Sequence, residues 1–312
     1  MARYHKTVLV KEAIEYLNVE RGKRYIDATL GGGGHSLAIL KSGGLVLGID
    51  CDPEAIKAAR KNILQACPPA KKVELSTCLG GRDSSYRLAQ GNFRFLKKIA
   101  QKEGFSQVAG IIFDFGVSSH QLDTPERGFS FNLEGPLDMR MDPNLKVTAA
   151  DLVNGLSKGE LCELFSQLGQ EKYSRRFANA IDRARRIKPI KTCRELSQVI
   201  IGSFAKKGPP LSLSGKHPAT KAFMALRMAV NQELDSLNQA LGQSLGLIKS
   251  GGRLVVISFH SGEDKVVKNF FKEGARTGKL KILTKKPLRP SQSEVRDNPR
   301  SRSARLRVAQ AI

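Results

Sequence analysis

Tryptophan is absent from this 312-residue chain, and aromatic residues make up only 6% of it. Any base or other flat ligand held by stacking must therefore rest on Phe or Tyr. Long apolar runs are missing too. None approaches the roughly 20 residues of a membrane helix. The basic start MARYHKTVLV leads into an alternating pattern instead of the apolar block of a signal peptide. No membrane partner is expected, and the cytoplasm is the expected location. The five cysteines, Cys51, Cys67, Cys78, Cys162 and Cys193, form no C-x-x-C pair. That odd, scattered set describes a reducing compartment with no zinc site, and no metal is expected. Each is read as a small buried hydrophobe. No G-x-x-x-x-G-K-[ST] loop occurs, which argues against a P-loop. Acidic residues are scarce, with 29 Asp plus Glu against 52 Lys plus Arg and a formal charge of +23. So one-sided a balance points to a polyanionic partner, nucleic acid ahead of an anionic membrane.

The most informative stretch present is YIDATLGGGGHSLAILKSGGLVLGIDCD, residues 25–52. A strand-like run enters four glycines, Gly31 to Gly34, then a helix-like run, then a second apolar strand ending at Asp50. This is a nucleotide-cradling strand–loop–helix–strand, with a carboxylate placed to accept both hydroxyls of a ribose. The dinucleotide fingerprint G-x-G-x-x-G fits poorly, because its third glycine falls on Ser36 or Leu37. Asp27 and Thr29 precede the glycines in the D-x-T-x-G-x-G manner of an S-adenosylmethionine pocket. NAD, ATP and a purely structural turn stand as the alternatives.

Strand-type and helix-type runs alternate over the first 125 residues. A helix is expected from Asp52 to about Leu64, a third strand over 72–76, a loop over 79–89, a helix over 93–103 and a fully apolar strand over 108–113, ending in Asp114. Strands apolar on both faces and separated by helices make a parallel sheet covered on both sides. The spacing then changes. Residues 125–215 show no convincing strand, and Ser157-x-x-Glu160 and Thr192-x-x-Glu195 have capping-box spacing. A long helix is expected from Pro218 to about Ile248, then a strand over 253–259, a helix over 264–273, and terminal edge strands over 279–284 and 304–310. The expected architecture is α/β. A discontinuous domain, 1–125 with 217–312, carries a Rossmann-like sheet, and 126–216 form an all-helical insert beside the carboxyl ends of its strands.

Residues 114–142 read DFGVSSHQLDTPERGFSFNLEGPLDMRMD. Phe129, Phe131, Leu137, Met139 and Met141 would be wasted on a free loop, so the stretch is read as a structured lid or substrate wall. D-F-G-V-S-S-x-Q-L-D, E-R-G-F-S-F and G-P-L-D-M-R-M-D resemble the RsmH/MraW family of small-subunit ribosomal RNA (cytosine-N4)-methyltransferases. The resemblance continues through H-P-A-T-K-A-F from His217, V-N-Q-E-L from Val230, S-F-H-S-G-E-D from Ser258 and N-P-R-S-R-S-A-R-L-R from Asn298, and so spans nearly the whole chain. Phe115, His120 and Gly262 depart from the family's usual Leu, Pro and Leu.

The resemblance implies a class I S-adenosylmethionine-dependent methyltransferase with a helical insert. It implies methylation of a cytidine N4 in 16S-type ribosomal RNA, in the decoding region. The cofactor contacts it implies are Gly33, Gly34, His35, Asp50, Phe93, Asp114 and Gln121. The expected partner is small-subunit ribosomal RNA within an assembled or nearly assembled subunit, and a homodimer is an open expectation.

An exocyclic cytosine amine is a poor nucleophile and sheds a proton on methylation, so an acceptor must lie beside it. Asp114 is the first candidate, for the amine, the cofactor or both. Ser118 and Ser119 are candidates for the base edge. His260 is read either as a base or phosphate contact or as a residue that holds its loop. A paired base cannot reach such a pocket, so the target must be unpaired or flipped out. Phe129 and Phe131 are the stacking candidates, or else core. Residues 172–191 hold eight Lys or Arg and one acid; residues 265–307 hold fourteen and three. Arg183, Arg185, Arg186, Arg300 and Arg302 are the expected RNA contacts, phosphates giving affinity without sequence reading.

Overall fold

The computed structural model describes residues 6–66, 85–204 and 217–312. The chain separates into two compact units, Met1–Ser118 with Leu234–Ile312, and Ser119–Glu233. The division falls inside the segments expected to belong to the sheet domain. Residues 119–125 and 217–233 go with the helical unit instead.

The first unit opens with helix α1 (Val10–Leu17), strand β1 (Arg24–Asp27), α2 (Gly34–Lys41), β2 (Leu45–Asp50), α3 (Pro53–Ala66), β3 (Tyr86–Gln90), α4 (Leu96–Lys102) and β4 (Val108–Asp114). The helical unit holds α5 (Ser119–Asp123), α6 (Ala149–Gly155), α7 (Lys158–Gln167), α8 (Ser174–Ile187), α9 (Cys193–Gly202) and α10 (Thr220–Val230). The first unit closes with α11 (Glu233–Ser244), β5 (Ile248–Ser258), α12 (Ser261–Arg276), β6 (Leu280–Ile282), α13 (Gln292–Asp297) and β7 (Arg305–Ala311).

The sheet runs β3-β2-β1-β4-β5-β7-β6. β3 to β5 are parallel, and β7 is antiparallel to both of its neighbours. Alternate residues of a strand face opposite sides, which explains the continuous apolar runs. Ile111, Phe113, Leu254 and Val256 pack with Leu96, Leu237 and Phe271 of the helices on one side. Ile112, Val255 and Ile257 pack with Ala13, Leu17 and Ile39 on the other. Each strand is thus committed to two cores, and β1, β2 and β4 are held with their carboxyl ends side by side.

Several sequence expectations are corrected. The strand expected over 72–76 lies outside the described residues. The strand that pairs with the outer side of β2 is β3, inside the stretch read as a loop. Its Arg87 guanidinium donates to the Glu103 carbonyl, a polar anchor that hid a half-buried strand from apolar patterning. The segment over 304–310 is no edge strand: β7 lies between β5 and β6, with Leu306 and Val308 fully buried.

Both expected capping boxes form, at Ser157–Glu160 and Thr192–Glu195. The long helix expected from Pro218 is broken. Asn231 ends α10, and Gln232 takes a left-handed backbone (φ 48°) before α11 begins. The cause is the Asn231 side chain. Its amide donates to the Met139 carbonyl (2.8 Å) and the Arg227 carbonyl (2.9 Å), and its oxygen accepts from the Met141 N–H (2.8 Å). Met139 is itself left-handed, at φ 63°. Asn231 therefore fixes the strained 139–141 turn. Across the break, Arg227 grips Glu233 through two 2.8 Å bonds. Asn231→Ala should leave the Met139 carbonyl and the Met141 N–H without this partner and lower stability by about 1–3 kcal/mol. Urea unfolding checks this, and a midpoint equal to wild type would contradict it.

Candidate active site

The tips of β2, β1 and β4 carry Asp50, Asp27 and Asp114. β1 is the shortest of the three, so Asp27 lies level with Gly48 and Ile112, two residues below its neighbours' tips. Asp27 is 1% exposed. It accepts the Ser36 hydroxyl at 2.7 Å and the Thr29 N–H at 3.3 Å. Asp50 accepts the Gly31 N–H at 2.8 Å on one oxygen and the Asp52 N–H at 2.9 Å on the other. Each oxygen keeps a second lone pair for a ligand hydroxyl. The Asp114 N–H donates to the Thr29 hydroxyl at 2.6 Å, joining the D-x-T segment to the β4 tip.

Water is scarce around these carboxyls. Desolvation pushes Asp27 and Asp50 up to about 6, against the pull of the hydrogen bonds just named. Desolvation first, then the charges of Asp27 and Glu263, holds Asp114 well above the ordinary carboxylate range. Asp114 Oδ1 is buried and has no hydrogen-bond partner.

The glycine loop is shaped by close packing as much as by any ligand. A Cβ on Gly34 would lie 1.8 Å from the Thr7 hydroxyl oxygen. Gly33 has φ 79°, and its Cβ would press on Ala59 at 3.0 Å. Both positions therefore demand glycine, and α2 begins at Gly34 with Gly33 as its N-cap. His35 follows, 3% exposed. Its Nε2 lies 3.1 Å from the Val8 carbonyl, which can only accept, so Nε2 carries the proton. Its Nδ1 faces Asp114 Oδ2 at 3.6 Å.

Phe93 opens the turn after β3. Its ring meets Phe113 edge-on at 6.3 Å and Phe115 at 5.6 Å, forming an apolar wall next to the β4 tip. Phe115, the departure from the family's usual Leu, is part of that wall.

The MraW methylase family model matches residues 2–312. The chain belongs to the MraW methylase family. Among curated relatives named "Ribosomal RNA small subunit methyltransferase H", the protein of Halothermothrix orenii is 43% identical, over 99% of this chain and 98% of that one. The protein of a Synechococcus strain is 46% identical, over 98% of this chain and 91% of that one. A solved structure, a putative methyltransferase from Streptococcus mutans in complex with SAH, covers 98% of this chain and 99% of that one at 12% identity. Its TM-score is 0.45.

This MraW-family chain is a methyltransferase with a class I, Rossmann-like fold, and S-adenosylmethionine is its cofactor. The residues present fit that group. Asp50 offers lone pairs at a strand tip, and Asp114 has an orphaned buried oxygen at the next tip but one. Bound there, S-adenosylmethionine would supply an electrophilic methyl group.

The first unit brings together Gly33, Gly34, His35, Asp50, Phe93 and Asp114. Ser118 is half-buried at the end of that unit's first segment. Gln121, in the helical unit, is buried on α5. His260 is committed elsewhere. It N-caps α12, its Nδ1 accepting the Glu263 N–H at 3.3 Å, while its buried Nε2, 3.1 Å from the Glu263 carboxylate, has no hydrogen-bond partner among the described residues. Holding its loop is the reading this geometry supports, in place of a base or phosphate contact. Phe129 is 7% exposed and belongs to the core. Phe131 stacks on His217 at 4.3 Å. Arg185 is also corrected. Its guanidinium donates to the carbonyls of Val153, Asn154 and Leu156 and pairs with Asp182, so it closes the end of α6 instead of facing a phosphate. Arg186 is exposed and pairs with Asp182 at 2.8 Å, Arg183 is exposed, and Arg300 and Arg302 are exposed on the turn before β7.

The site list read from sequence lacked Thr29, Ser36, Thr7 and Glu263. The D-x-T spacing signalled the first. The others are ordinary polar residues until the fold brings Ser36 to Asp27, Glu263 near Asp114 and Thr7 to Gly34.

Asp50→Ala should weaken S-adenosylmethionine binding by about 1.5–3 kcal/mol, the cost of lost charge-assisted hydrogen bonds. Asp50 titrates near 6, and its ionised form is the better acceptor. Wild-type affinity should therefore be level above pH 7 and decline below pH 6, and Asp50→Ala should lose part of that decline. Calorimetry on folded protein checks both, and unchanged affinity would remove Asp50 from the cofactor site.

Proposed function

We propose that this protein transfers the methyl group of S-adenosylmethionine to N4 of a cytidine in small-subunit ribosomal RNA, in the decoding region. The curated relatives' name supports the RNA class, and the formal charge of +23 suits a polyanion. The cytosine motif resemblance supports the atom. An assembled or nearly assembled small subunit is the proposed substrate form, and the cytoplasm the proposed location. No helix among the described residues is long and apolar enough to cross a membrane.

The observation that carries the chemistry is Asp114 Oδ1, a buried carboxylate oxygen without a partner at the carboxyl end of β4. A cytosine amine loses a proton as its nitrogen is methylated. An acceptor whose proton affinity is raised above the ordinary carboxylate range by burial suits that task. Asp50 orients the ribose of the cofactor. The Phe93–Phe113–Phe115 wall keeps one side of the site dry, and alignment of amine and methyl lowers the barrier without further groups. Gly33, Gly34, His35 and Gln121 are proposed cofactor contacts, and Ser118 a contact to the base edge.

The direct test compares small-subunit RNA from cells with and without the gene. A methyl group on one cytidine N4 should be missing without it and restored by purified protein. Restoration at another atom or in another RNA would overturn the reading. Asp114→Asn keeps the shape and removes the acceptor. Single-turnover transfer should fall about 100-fold or more, while cofactor affinity changes far less. Collapse of affinity with near-wild-type transfer at saturating cofactor would make Asp114 a cofactor ligand only.

A further inference from the structure

Ion pairing sorts the basic run of the helical unit into two classes. Arg185 and Arg186 share the single charge of Asp182, and Lys188 pairs with Glu195 at 2.8 Å. Arg175, Arg176 and Arg183, all exposed, form no ion pair among the described residues. These three share one side of α8. Arg176 and Arg183 are seven residues apart, two turns on the same line, and the buried residues Phe177, Ala178 and Ile181 take the opposite side.

Beside these cations lies Tyr173, 38% exposed. Its ring meets Phe204 at right angles at 5.1 Å, Phe204 meets Phe177 at 5.8 Å, and Phe177 meets Phe165 at 6.3 Å. The Arg176 guanidinium lies 5.5 Å from the Tyr173 ring and 5.1 Å from that of Phe204. Tyr173 is thus the outer rung of an aromatic ladder rooted in the core, with its ring fixed by a cation–π contact. An exposed, immobilised ring among unneutralised guanidiniums matches what unpaired nucleic acid presents, a flat base between phosphates.

We infer that the Tyr173 face of α8 is a docking surface for single-stranded RNA, with one base stacked on Tyr173 and the backbone phosphates on Arg175, Arg176 and Arg183. This rests on the RNA reading proposed above and adds where on the helical unit the strand lies. It also replaces Arg185 and Arg186 with Arg175 and Arg176.

The test is fluorescence anisotropy with a labelled single-stranded RNA of about 12 nucleotides, over a salt series. Tyr173→Ala should weaken binding about tenfold, and Tyr173→Phe, which keeps the ring, should bind nearly as wild type. Replacing Arg175, Arg176 and Arg183 by Gln should reduce the log–log salt slope by about 2, near 0.7 for each lost phosphate contact. Arg186→Gln should leave the slope nearly unchanged. A Tyr173→Ala variant that binds within twofold of wild type, or a triple variant with the wild-type slope, overturns the surface. Equal losses on duplex and single-stranded RNA overturn the stacked base. If wild type binds RNA and the variants match it, only this surface is wrong; if wild type neither binds RNA nor methylates it, the RNA reading falls as well. Unchanged urea midpoints in the variants keep a binding loss from being a folding loss.

Discussion

Three carboxylates stand at the water-poor edge of three adjacent parallel strands, and the rest of the site is arranged around that cost. Asp27, Asp50 and Asp114 each lose hydration on folding, and each is raised above its ordinary range for that reason. The fold offsets part of the penalty with the Ser36 hydroxyl and with backbone N–H groups of the glycine loop and the β2 tip. Asp114 is left with one oxygen unsatisfied. Buried acids that repel one another are an expensive arrangement. They make sense where a cation and its hydroxyl groups are to be received, and a sulfonium with a ribose is such a ligand.

The two signs of charge are therefore segregated. The chain carries an excess of cations overall, yet its sheet edge concentrates acid. In the helical unit, Asp182, Glu195 and Glu134 neutralise part of the basic run. Among the described residues, Arg175, Arg176 and Arg183 of α8 are in no ion pair. Counting lysines and arginines says that a polyanion is bound. Only the ion pairs show which residues are available to bind it.

The legible part of the fold was the part written in periodicity. β1, β2, β4 and β5 are apolar on both faces, and the capping boxes at Ser157 and Thr192 declare their helices in four residues. The positions of Asp50 and Asp114 at strand ends were legible because each acid closes an apolar run. β3 was missed because a polar strand held by Arg87 looks like a loop. The α10–α11 break was missed because apolar spacing runs straight through it, and the Asn231 bonds that stop the helix reach about 90 residues back along the chain, to Met139 and Met141. Arg185 was misread because a guanidinium that caps a distant helix has the same sequence signature as one that holds a phosphate. The glycine loop was read as a cradle for a ligand; that Gly33 and Gly34 also make way for Ala59 and Thr7 had no signal in the sequence.

If raised, crowded carboxylates are what the cofactor meets, its binding must change their protonation. A cation and hydroxyl donors favour the ionised forms, so binding should expel protons most strongly where the free carboxyls are partly protonated. Calorimetry of S-adenosylmethionine binding near pH 6, in buffers of different ionisation enthalpy, measures that number directly. The account predicts net proton release near pH 6, where burial has moved Asp27 and Asp50, and less release with the uncharged thioether product S-adenosylhomocysteine. Binding with no proton release at pH 6, or with proton uptake, would contradict it.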